Sequence, residues 1–313
     1  MQRITVLSGG VGGARFLRGL RHGVRHGALA GAGVAPDATI TAVVNTADDW
    51  WVHGVKVCPD LDTVMYTLGG GIDEERGWGR REETWHAGEE LAAYGVEPTW
   101  FGLGDRDLGT HLVRTQMLEA GYPLSQVTAA LCRRWQPGVE IVPMSDDRVE
   151  THVAIPDPDS PSGRRVVHFQ EYWVRLRAAV PAEAIVVVGV DEATAAPGVV
   201  DAITRADVVI LPPSNPVVSV GTILGVSEIR AALAETSAPV VGLSPSSPAT
   251  TCAAWPSSCW PRWASRCRPP GSPSTTGRGP AAGCSTGGWS TRATPGSSRA
   301  WRRRGCGRPP CPC

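Results

Sequence analysis

The chain has almost no lysine and no long apolar stretch. Lys56 is its single lysine, against 29 arginines in 313 residues. No stretch reaches the roughly 18 consecutive apolar residues that a membrane span requires. The N-terminus lacks the charged start, the apolar segment and the small-residue cleavage site of a secretory signal. We therefore expect a cytoplasmic protein with no membrane partner. Because arginine codons are rich in G and C and lysine codons are not, we also expect a GC-rich gene.

Most of the sequence also lacks an excess of positive charge. The net charge of the chain is zero, but positions 246–313 contain ten arginines and no acidic residue. Residues 1–245 therefore contain 20 basic and 30 acidic residues. Nucleic-acid-binding domains present clustered positive charge. This balance predicts that the protein has no nucleic-acid partner.

Residues 246–313 contain no Leu, Ile, Val, Met, Phe, Asp or Glu. Only eight residue types occur there, yet the segment holds seven of the nine cysteines and five of the 12 tryptophans. All eight types can be encoded with G or C at the second codon position, which is where a one-base slip moves the third base of a GC-rich gene. An ordinary low-complexity tail is the alternative, but such tails avoid tryptophan. We interpret 246–313 as a frameshifted, non-native and disordered tail that follows one domain at 1–245.

Residues 1–245 alternate between apolar runs and segments with helical periodicity. The predicted strands lie at 4–7, 40–44, 141–144, 184–188, 207–211 and 239–243. The predicted helices begin at about Ala14 and after Pro59, and cover 83–94 and 124–135. Residues 152–155 and 166–170 are predicted to form a hairpin. This pattern is typical of an α/β fold: a Rossmann-like, mostly parallel sheet with helices on both faces and a small inserted hairpin and helical region.

A glycine-rich loop follows the first predicted strand. Gly9, Gly10, Gly12 and Gly13 precede a predicted helix, so their amides can face an anion at the helix N-terminus. The loop is not a Walker motif, because no Gly-Lys-Ser/Thr follows. Arg15 stands where a dinucleotide fingerprint needs its third glycine. The loop therefore predicts contact with a phosphate or nucleotide, and a simple tight turn remains the alternative.

Four carboxylates occur within fifteen positions after the second predicted strand: Asp48, Asp49, Asp60 and Asp62. Because ligands bind outside the carboxyl ends of the strands in open α/β sheets, this is where a site is expected. Grouped negative charge at the mouth of a sheet is costly unless a divalent cation with a phosphorylated ligand neutralises it. Turn and capping roles are the alternative, and Asp60 is a plausible helix N-cap.

A polar segment at 103–107 is predicted to be a loop beside a helix that carries His111 and Arg114. Asp105 and Arg106 lie in this segment, and Arg106 is either a phosphate clamp or part of an ion-paired turn. Tyr172 either faces a flat ring or packs in a core, and the sequence leaves both possibilities open.

Ser214 and Asn215 follow another apolar strand, that at 207–211. Their position and their polar side chains suit hydrogen bonds to a nucleotide.

Together these segments resemble the CofD/FbiA-type transferases of coenzyme F(420) biosynthesis. The resemblance extends over essentially all of 1–245 and is strongest at 9–15, 45–49, 58–63, 104–107, 144–147, 168–171 and 213–216. Residues 65–71 and 77–79 are similar to the actinobacterial branch of that family. Several motifs in this order make a chance match improbable.

The resemblance implies a reaction. In the family, a guanosine-diphosphate-activated 2-phospholactate donates its phosphoester unit to the terminal ribityl hydroxyl of the deazaflavin Fo, and GMP leaves. In the actinobacterial branch the donor carries phosphoenolpyruvate instead. The resemblance implies that Mg²⁺ is held by Asp48, Asp49 and Asp62, and that Asp49 and Asp62 are the catalytic residues.

The resemblance also implies substrate contacts. The glycine loop would cradle phosphate, Ser214 and Asn215 would contact the nucleotide, and Trp50, Trp51 or Tyr172 would face the deazaflavin ring. Asp105 and Arg106 belong to the predicted substrate-binding set.

The tail departs from the family, which continues after residue 245 with a further strand and C-terminal helices. We therefore expect weakened homodimer contacts and an unstable or inactive chain. Two alternatives remain open: a YvcK-like regulatory protein that binds a nucleotide sugar without turnover, and a dinucleotide oxidoreductase, which Arg15 disfavours.

Overall fold

A computed structural model describes residues 1–243 and the backbone of Trp289 and Ser290. Apart from these two residues, the predicted tail at 246–313 lies outside the described residues, so its predicted disorder stays a prediction. The α-helices are α1 Gly10–Arg25, α2 Pro59–Leu68, α3 His86–Ala93, α4 Asp105–Glu119, α5 Leu124–Trp135, α6 Val199–Thr204, α7 Val220–Ile223 and α8 Ser227–Glu235. The strands are β1 Arg3–Ser8, β2 Thr39–Val44, β3 Trp50–Val52, β4 Val55–Val57, β5 Glu140–Pro143, β6 Glu150–Pro156, β7 Arg164–His168, β8 Ala184–Val188, β9 Val208–Leu211, β10 Val240–Gly242 and β11 Trp289–Ser290.

A six-stranded sheet forms the centre of the protein, with the order β11-β10-β9-β1-β2-β5. All its pairings are parallel except that of β11 with β10. From β1 the chain proceeds outward to β2 and β5, and it later returns to place β9 and β10 on the other side of β1. The strand order therefore reverses between β1 and β9. Ligands bind at such a switch point in open α/β sheets.

Helices cover both faces of this sheet, as the sequence predicts. Side chains alternate along a strand, so Val6 joins one buried cluster and Leu7 the other. Leu17 of α1, together with residues of α2 and α5, packs in the first cluster. Ile203 of α6 and Ile229 of α8 pack in the second. The predicted Rossmann-like α/β class is confirmed.

Two smaller antiparallel sheets are inserted into this framework. Strands β3 and β4 form a short hairpin directly after the aspartates at 48 and 49. Strands β6 and β7 pair as the predicted hairpin, with Val153 opposite Val167.

The prediction for 184–188 is wrong in one respect. This strand, β8, pairs antiparallel with β6 instead of joining the parallel sheet, and Val186 and Val188 on it are 49% and 52% exposed. An apolar run predicts a strand, but it does not specify the partner of that strand.

Two helix starts also differ from the predictions. Helix α1 begins at Gly10 rather than near Ala14, because Gly10 adopts a positive φ of 61° that brings the chain directly into the helix. Helix α4 begins at Asp105, so residues 105–107 form a first helical turn and not a loop. Acidic residues in a first turn interact favourably with the helix dipole. None of the helices in the described part of the chain combines the length and apolar character needed to cross a membrane.

Candidate active site

The glycine loop lies at the switch point and is tied to the loop that follows β9. The Gly9 amide donates to Ser214 Oγ over 3.2 Å, and the Ser214 hydroxyl donates to the Gly9 carbonyl over 2.8 Å. A Cβ on Gly9 would lie 2.6 Å from Ser219 Cβ and 2.7 Å from Asp60 Oδ2. A Cβ on Gly12 would collide with the Pro213 carbonyl oxygen. The two loops therefore approach each other so closely that only glycine fits.

Gly13 is also packed against this contact, because a Cβ there would collide with the hydroxyls of Ser8 and Ser214. Asn215 turns its side chain back onto its own loop, where Oδ1 accepts from the amides of Val217 and Val218 over 2.9 and 3.2 Å. The predicted phosphate and nucleotide contacts of these residues stay predictions.

Asn45 links the end of β2 to the start of α2, a connection that the sequence analysis did not identify. Its amide donates to Asp60 Oδ2 over 3.0 Å and to the Val218 carbonyl over 3.2 Å. Its Oδ1 accepts from the Ala47 amide over 3.0 Å and from Thr222 Oγ1 over 2.7 Å. All four bonds are buried, so Asn45 fixes three segments around the aspartates. The position of Asn45 directly after a buried strand is the sequence feature that could have indicated this link.

The four aspartates of the sequence cluster are all buried, with exposures between 2% and 7%. Asp48 and Asp49 lie between β2 and β3, whereas Asp60 and Asp62 lie in the first turn of α2. The predicted N-cap role of Asp60 is wrong, because Cys58 is the N-cap residue and Pro59 occupies the first helical position. Proline suits that position since the helix needs no amide there. The side chain of Asp60 instead accepts from Asn45.

Burial dominates the electrostatics of this cluster. Burial raises the pKa of Asp48 well above its usual value, and the charges of Asp60 and Asp49 raise it further. Burial also raises the pKa of Asp49 to about 7 and that of Asp60 to about 6. Oδ1 of Asp48 and both oxygens of Asp49 lack a well-placed hydrogen-bond donor among the described residues. Buried carboxylate oxygens without a donor are costly, so these atoms suit a cation or a substrate donor.

Asp62 differs from its neighbours because it has a buried counter-charge. Arg114 of α4, only 1% exposed, donates from Nη2 to Asp62 Oδ1. Burial lowers the pKa of Arg114, but the charge and hydrogen bond of Asp62, together with Cys58 and Tyr66, outweigh that effect and raise it. His111 lies beside the pair, with Nδ1 3.7 Å from Asp62 Oδ2 and Nε2 3.5 Å from Asp107 Oδ2. Tyr66 donates to Asp107 Oδ1 over 2.5 Å.

An aromatic layer begins at Trp50, directly after the aspartates. Trp50 stacks on Trp100 with a centroid separation of 5.4 Å and on His168 with 5.5 Å. The edge of Phe101 meets it at 4.7 Å. Burial lowers the pKa of His168 to about 4, so the imidazole in this stack is neutral at neutral pH. Trp50 therefore has its ring engaged within the protein, whereas Trp51 is 47% exposed.

Three other predicted site residues make contacts of a structural kind. Asp105 accepts from Thr84 Oγ1 and from the first amides of α3. Arg106 is exposed and pairs with Glu82 over 3.2 Å. Tyr172 is fully buried in a separate apolar cluster, and its hydroxyl donates to the Val180 carbonyl over 3.0 Å. For Tyr172 the structure favours core packing over a place against a ring.

The residues present fit a magnesium ion only if a substrate supplies the rest of its ligands. Within residues 1–243, no group of three His, Cys, Asp or Glu side chains is arranged to hold a metal ion. Magnesium, however, is usually bound through one or two carboxylates together with substrate phosphates. The oxygens of Asp48 and Asp49 that lack donors would supply those carboxylates; Oδ2 of Asp62 also lacks a donor, but its Oδ1 is already bound by Arg114.

Comparisons with known proteins give sequence matches over most of this chain. The family model described as 2-phospho-L-lactate transferase CofD matches residues 4–252. A phosphoenolpyruvate transferase of Streptomyces coelicolor is 65% identical over 243 residues, which cover 78% of this chain and 72% of the relative. The phosphoenolpyruvate transferase of Mycolicibacterium smegmatis is 64% identical over 247 residues, 78% of this chain and 73% of the relative. That of Nocardia farcinica is 61% identical over 242 residues, 77% and 70% of the two chains.

Solved structures show the fold alone. Two crystal structures of a Bacillus halodurans protein, one described as a member of the upf0052 family, superpose with TM-scores of 0.52 and 0.51 at 19% identity. They cover 77% and 76% of this chain, and 68% and 67% of the matched chains.

Proposed function

Because the chain belongs to the family of the 2-phospho-L-lactate transferase CofD, we propose that it transfers a phosphoester unit to the deazaflavin Fo in coenzyme F(420) biosynthesis. The proposed donor is a guanosine-diphosphate-activated phosphoenolpyruvate. The names of relatives at 61–67% identity favour this donor over the phospholactyl one. The proposed products are the phosphoester of Fo and GMP.

In the proposed reaction, the terminal ribityl hydroxyl of Fo attacks the phosphorus that carries the enolpyruvyl group. A new P–O bond forms to the ribityl oxygen, and the bond from that phosphorus to the bridging oxygen breaks. GMP leaves with the bridging oxygen and its electron pair, and the hydroxyl proton passes to a base. Such transfers depend mainly on positioning and on charge neutralisation.

Asp48 and Asp49 are the proposed ligands for Mg²⁺, which when bound offsets negative charge on the phosphate oxygens. Asp49 is also the proposed acceptor of the hydroxyl proton, because neither of its oxygens has a well-placed donor within the described part of the chain. This burial without a donor is the observation that supports the reaction at this site. Asn45 holds Asp60 beside them and keeps that carboxylate directed at the glycine loop.

The donor is proposed to lie over the glycine loop at the switch point. The amides of Gly10, Gly12 and Gly13 belong to the first turns of α1, a 16-residue helix whose N-terminus favours negative charge. Ser214 and Asn215, at the end of β9, border the same crevice and are proposed to lie beside the guanosine.

The deazaflavin ring is proposed to bind beside the aromatic layer. A cavity of about 280 Å³ lies there, and its lining includes His53, Trp85, Leu91, Phe101 and Leu103. Phe101 belongs to both the cavity and the layer, and His53 follows the exposed Trp51 in the hairpin. The lining also includes the polar side chains of Glu89 and Thr99, and mostly apolar, aromatic walls with a few polar groups are typical of pockets for flat ligands.

The test is a reaction that contains Fo, Mg²⁺ and the activated phosphoenolpyruvate. We expect one GMP to form for each Fo that is consumed, and no GMP when Fo is left out. Donor binding without GMP formation would favour a regulatory binding protein and would refute the proposed transfer.

A further inference from the structure

Arg114 is one of the most deeply buried side chains in the described protein, although it carries a permanent charge. It is 1% exposed and belongs to α4. Its guanidinium donates to Asp62 Oδ1 from Nη2, to the Lys56 carbonyl over 3.3 Å from Nη1, and contacts His111 Nδ1 at 3.1 Å. A buried guanidinium needs a carboxylate partner, because an unpaired buried charge is strongly destabilising. Asp62 is that partner.

These contacts connect three elements that meet below the candidate active site. Asp62 lies in the first turn of α2, Lys56 lies on β4, and Arg114 lies on α4. The Lys56 amide also donates to Thr115 Oγ1 over 2.8 Å, so α4 holds β4 at two adjacent points. Strand β4 pairs with β3, which begins directly after Asp49. Arg114 therefore fixes the segment of Asp48 and Asp49 relative to the first turn of α2.

The same contacts separate the aspartates into two kinds. One oxygen of Asp62 is bound by the guanidinium, and the other faces the His111 ring at 3.7 Å. Both oxygens of Asp49, Oδ1 of Asp48 and this second oxygen of Asp62 have no well-placed donor among residues 1–243, so the distinctive feature of Asp62 is the guanidinium on its Oδ1. Asp62 makes a direct ion pair with Arg114, whereas Asp49 interacts with the charges of Lys56 and Arg114 without such a pair among the described residues.

We infer that Arg114 is a positioning residue for the site, that Asp62 is its anchor, and that Asp48 and Asp49 alone of these three aspartates hold the cation. This inference rests on the proposed function, since that function supplies the cation. It assigns Asp62 a different role from the one that the family resemblance implies.

The first part of the test needs no metal and no substrate. Thermal unfolding of the full chain is compared for Arg114→Met, Asp62→Asn and the double variant. Each single change leaves a buried group unpaired, and we expect each to lower the melting temperature by about 10 °C. The double variant is expected to lose clearly less than the sum of the two. Additive losses would show that the two side chains are not coupled and would overturn the inference.

Arg205→Gln, which breaks an exposed ion pair with Asp201, is the matched control and is expected to leave the melting temperature within about 2 °C.

The second part measures binding of Mn²⁺ alone by electron paramagnetic resonance, at a temperature where every variant is folded. We expect Asp49→Asn, which removes a ligand, to weaken binding more than about a hundredfold, and Asp62→Asn, which removes only the anchor of Arg114, to weaken it about tenfold. Arg114→Lys keeps the charge but loses the guanidinium fork, whose Nη2 donates to Asp62 and whose Nη1 donates to the Lys56 carbonyl. It is expected to recover most of the melting temperature, yet to weaken Mn²⁺ binding about tenfold, as changes behind a metal ligand do.

Two results would overturn the inference about the site: equal losses for Asp62→Asn and Asp49→Asn, or full Mn²⁺ affinity in Arg114→Lys. If the unchanged chain binds no Mn²⁺, the metal part of the proposed function fails, and the inference that Asp48 and Asp49 hold the cation fails with it. The coupling in the unfolding experiment would then still establish Arg114 as the anchor of Asp62.

Discussion

Replacing Gly12 with alanine tests whether the glycine loop depends on close contact between two backbone segments. A Cβ at Gly12 would lie less than 3.0 Å from the carbonyl oxygen of Pro213. A carbonyl cannot rotate away as a side chain can, so the loop after β9 must move away from α1. Overpacking of this kind costs about 3 kcal/mol, and the better helix propensity of alanine returns about 1 kcal/mol. We expect a net loss of about 2 kcal/mol.

Gly19 provides the matched control, because it lies in the same helix with nothing within 4 Å of its would-be Cβ. Gly19→Ala should therefore show only the propensity gain, about 0.5 to 1 kcal/mol. The two variants should differ by about 3 kcal/mol, or about 10 °C in melting temperature for a domain of this size. Thermal unfolding followed by circular dichroism measures this difference.

The reasoning would be refuted if Gly12→Ala were as stable as Gly19→Ala. That result would mean that the loop after β9 moves freely, and that close backbone contact is not the reason for glycine at this position.

Two further predictions concern single contacts. Asn45→Ala removes four buried hydrogen bonds and should lower the free energy of unfolding by about 2 to 4 kcal/mol. Urea denaturation measures this loss. A loss below about 1 kcal/mol would contradict the role of Asn45 as the link between β2 and α2. Hydrogen bonds from Thr84 and the first amides of α3 lower the pKa of Asp105 below its usual 3.8. Because the folded-state pKa is depressed, this contact stabilises the protein above the unfolded-state pKa and is lost as the pH falls through the folded-state pKa. Asp105→Asn should therefore lower the melting temperature at pH 7, by an amount that shrinks as the pH falls below 3.8, and a difference that is independent of pH would contradict it.

The central sheet was predictable from local pattern. The apolar runs that became β1 and β2, followed by glycine or polar residues, indicate strands that end at a site. The helical spacing of residues 124–135 predicted α5 with its observed bounds. These features depend on neighbours along the chain, so the sequence carries them directly. The grouping of Asp48 with Asp60 was predictable for the same reason, since a strand end and the next helix start meet at one edge of a sheet.

Features that depend on distant partners were not predictable. Arg114 was placed beside a polar loop, and nothing nearby in the sequence indicated that its partner is Asp62, 52 residues earlier. The strand β8 has the composition of a buried parallel strand, but its pairing with β6 depends on where the whole inserted sheet lies. Asp105 was assigned to substrate because a carboxylate before a helix looks the same whether it binds a ligand or caps a neighbouring helix.

The most direct test of the proposed transfer is Fo consumption by two proteins: this chain, and a restored protein in which the frameshift predicted after residue 245 is reversed. Both receive Mg²⁺ and guanosine-diphosphate-activated phosphoenolpyruvate, and both Fo and GMP are followed by chromatography. We predict that the restored protein converts Fo and releases GMP in equal amounts, and that the present chain does so far more slowly. A restored protein that binds the donor but leaves Fo unchanged would contradict the proposed function.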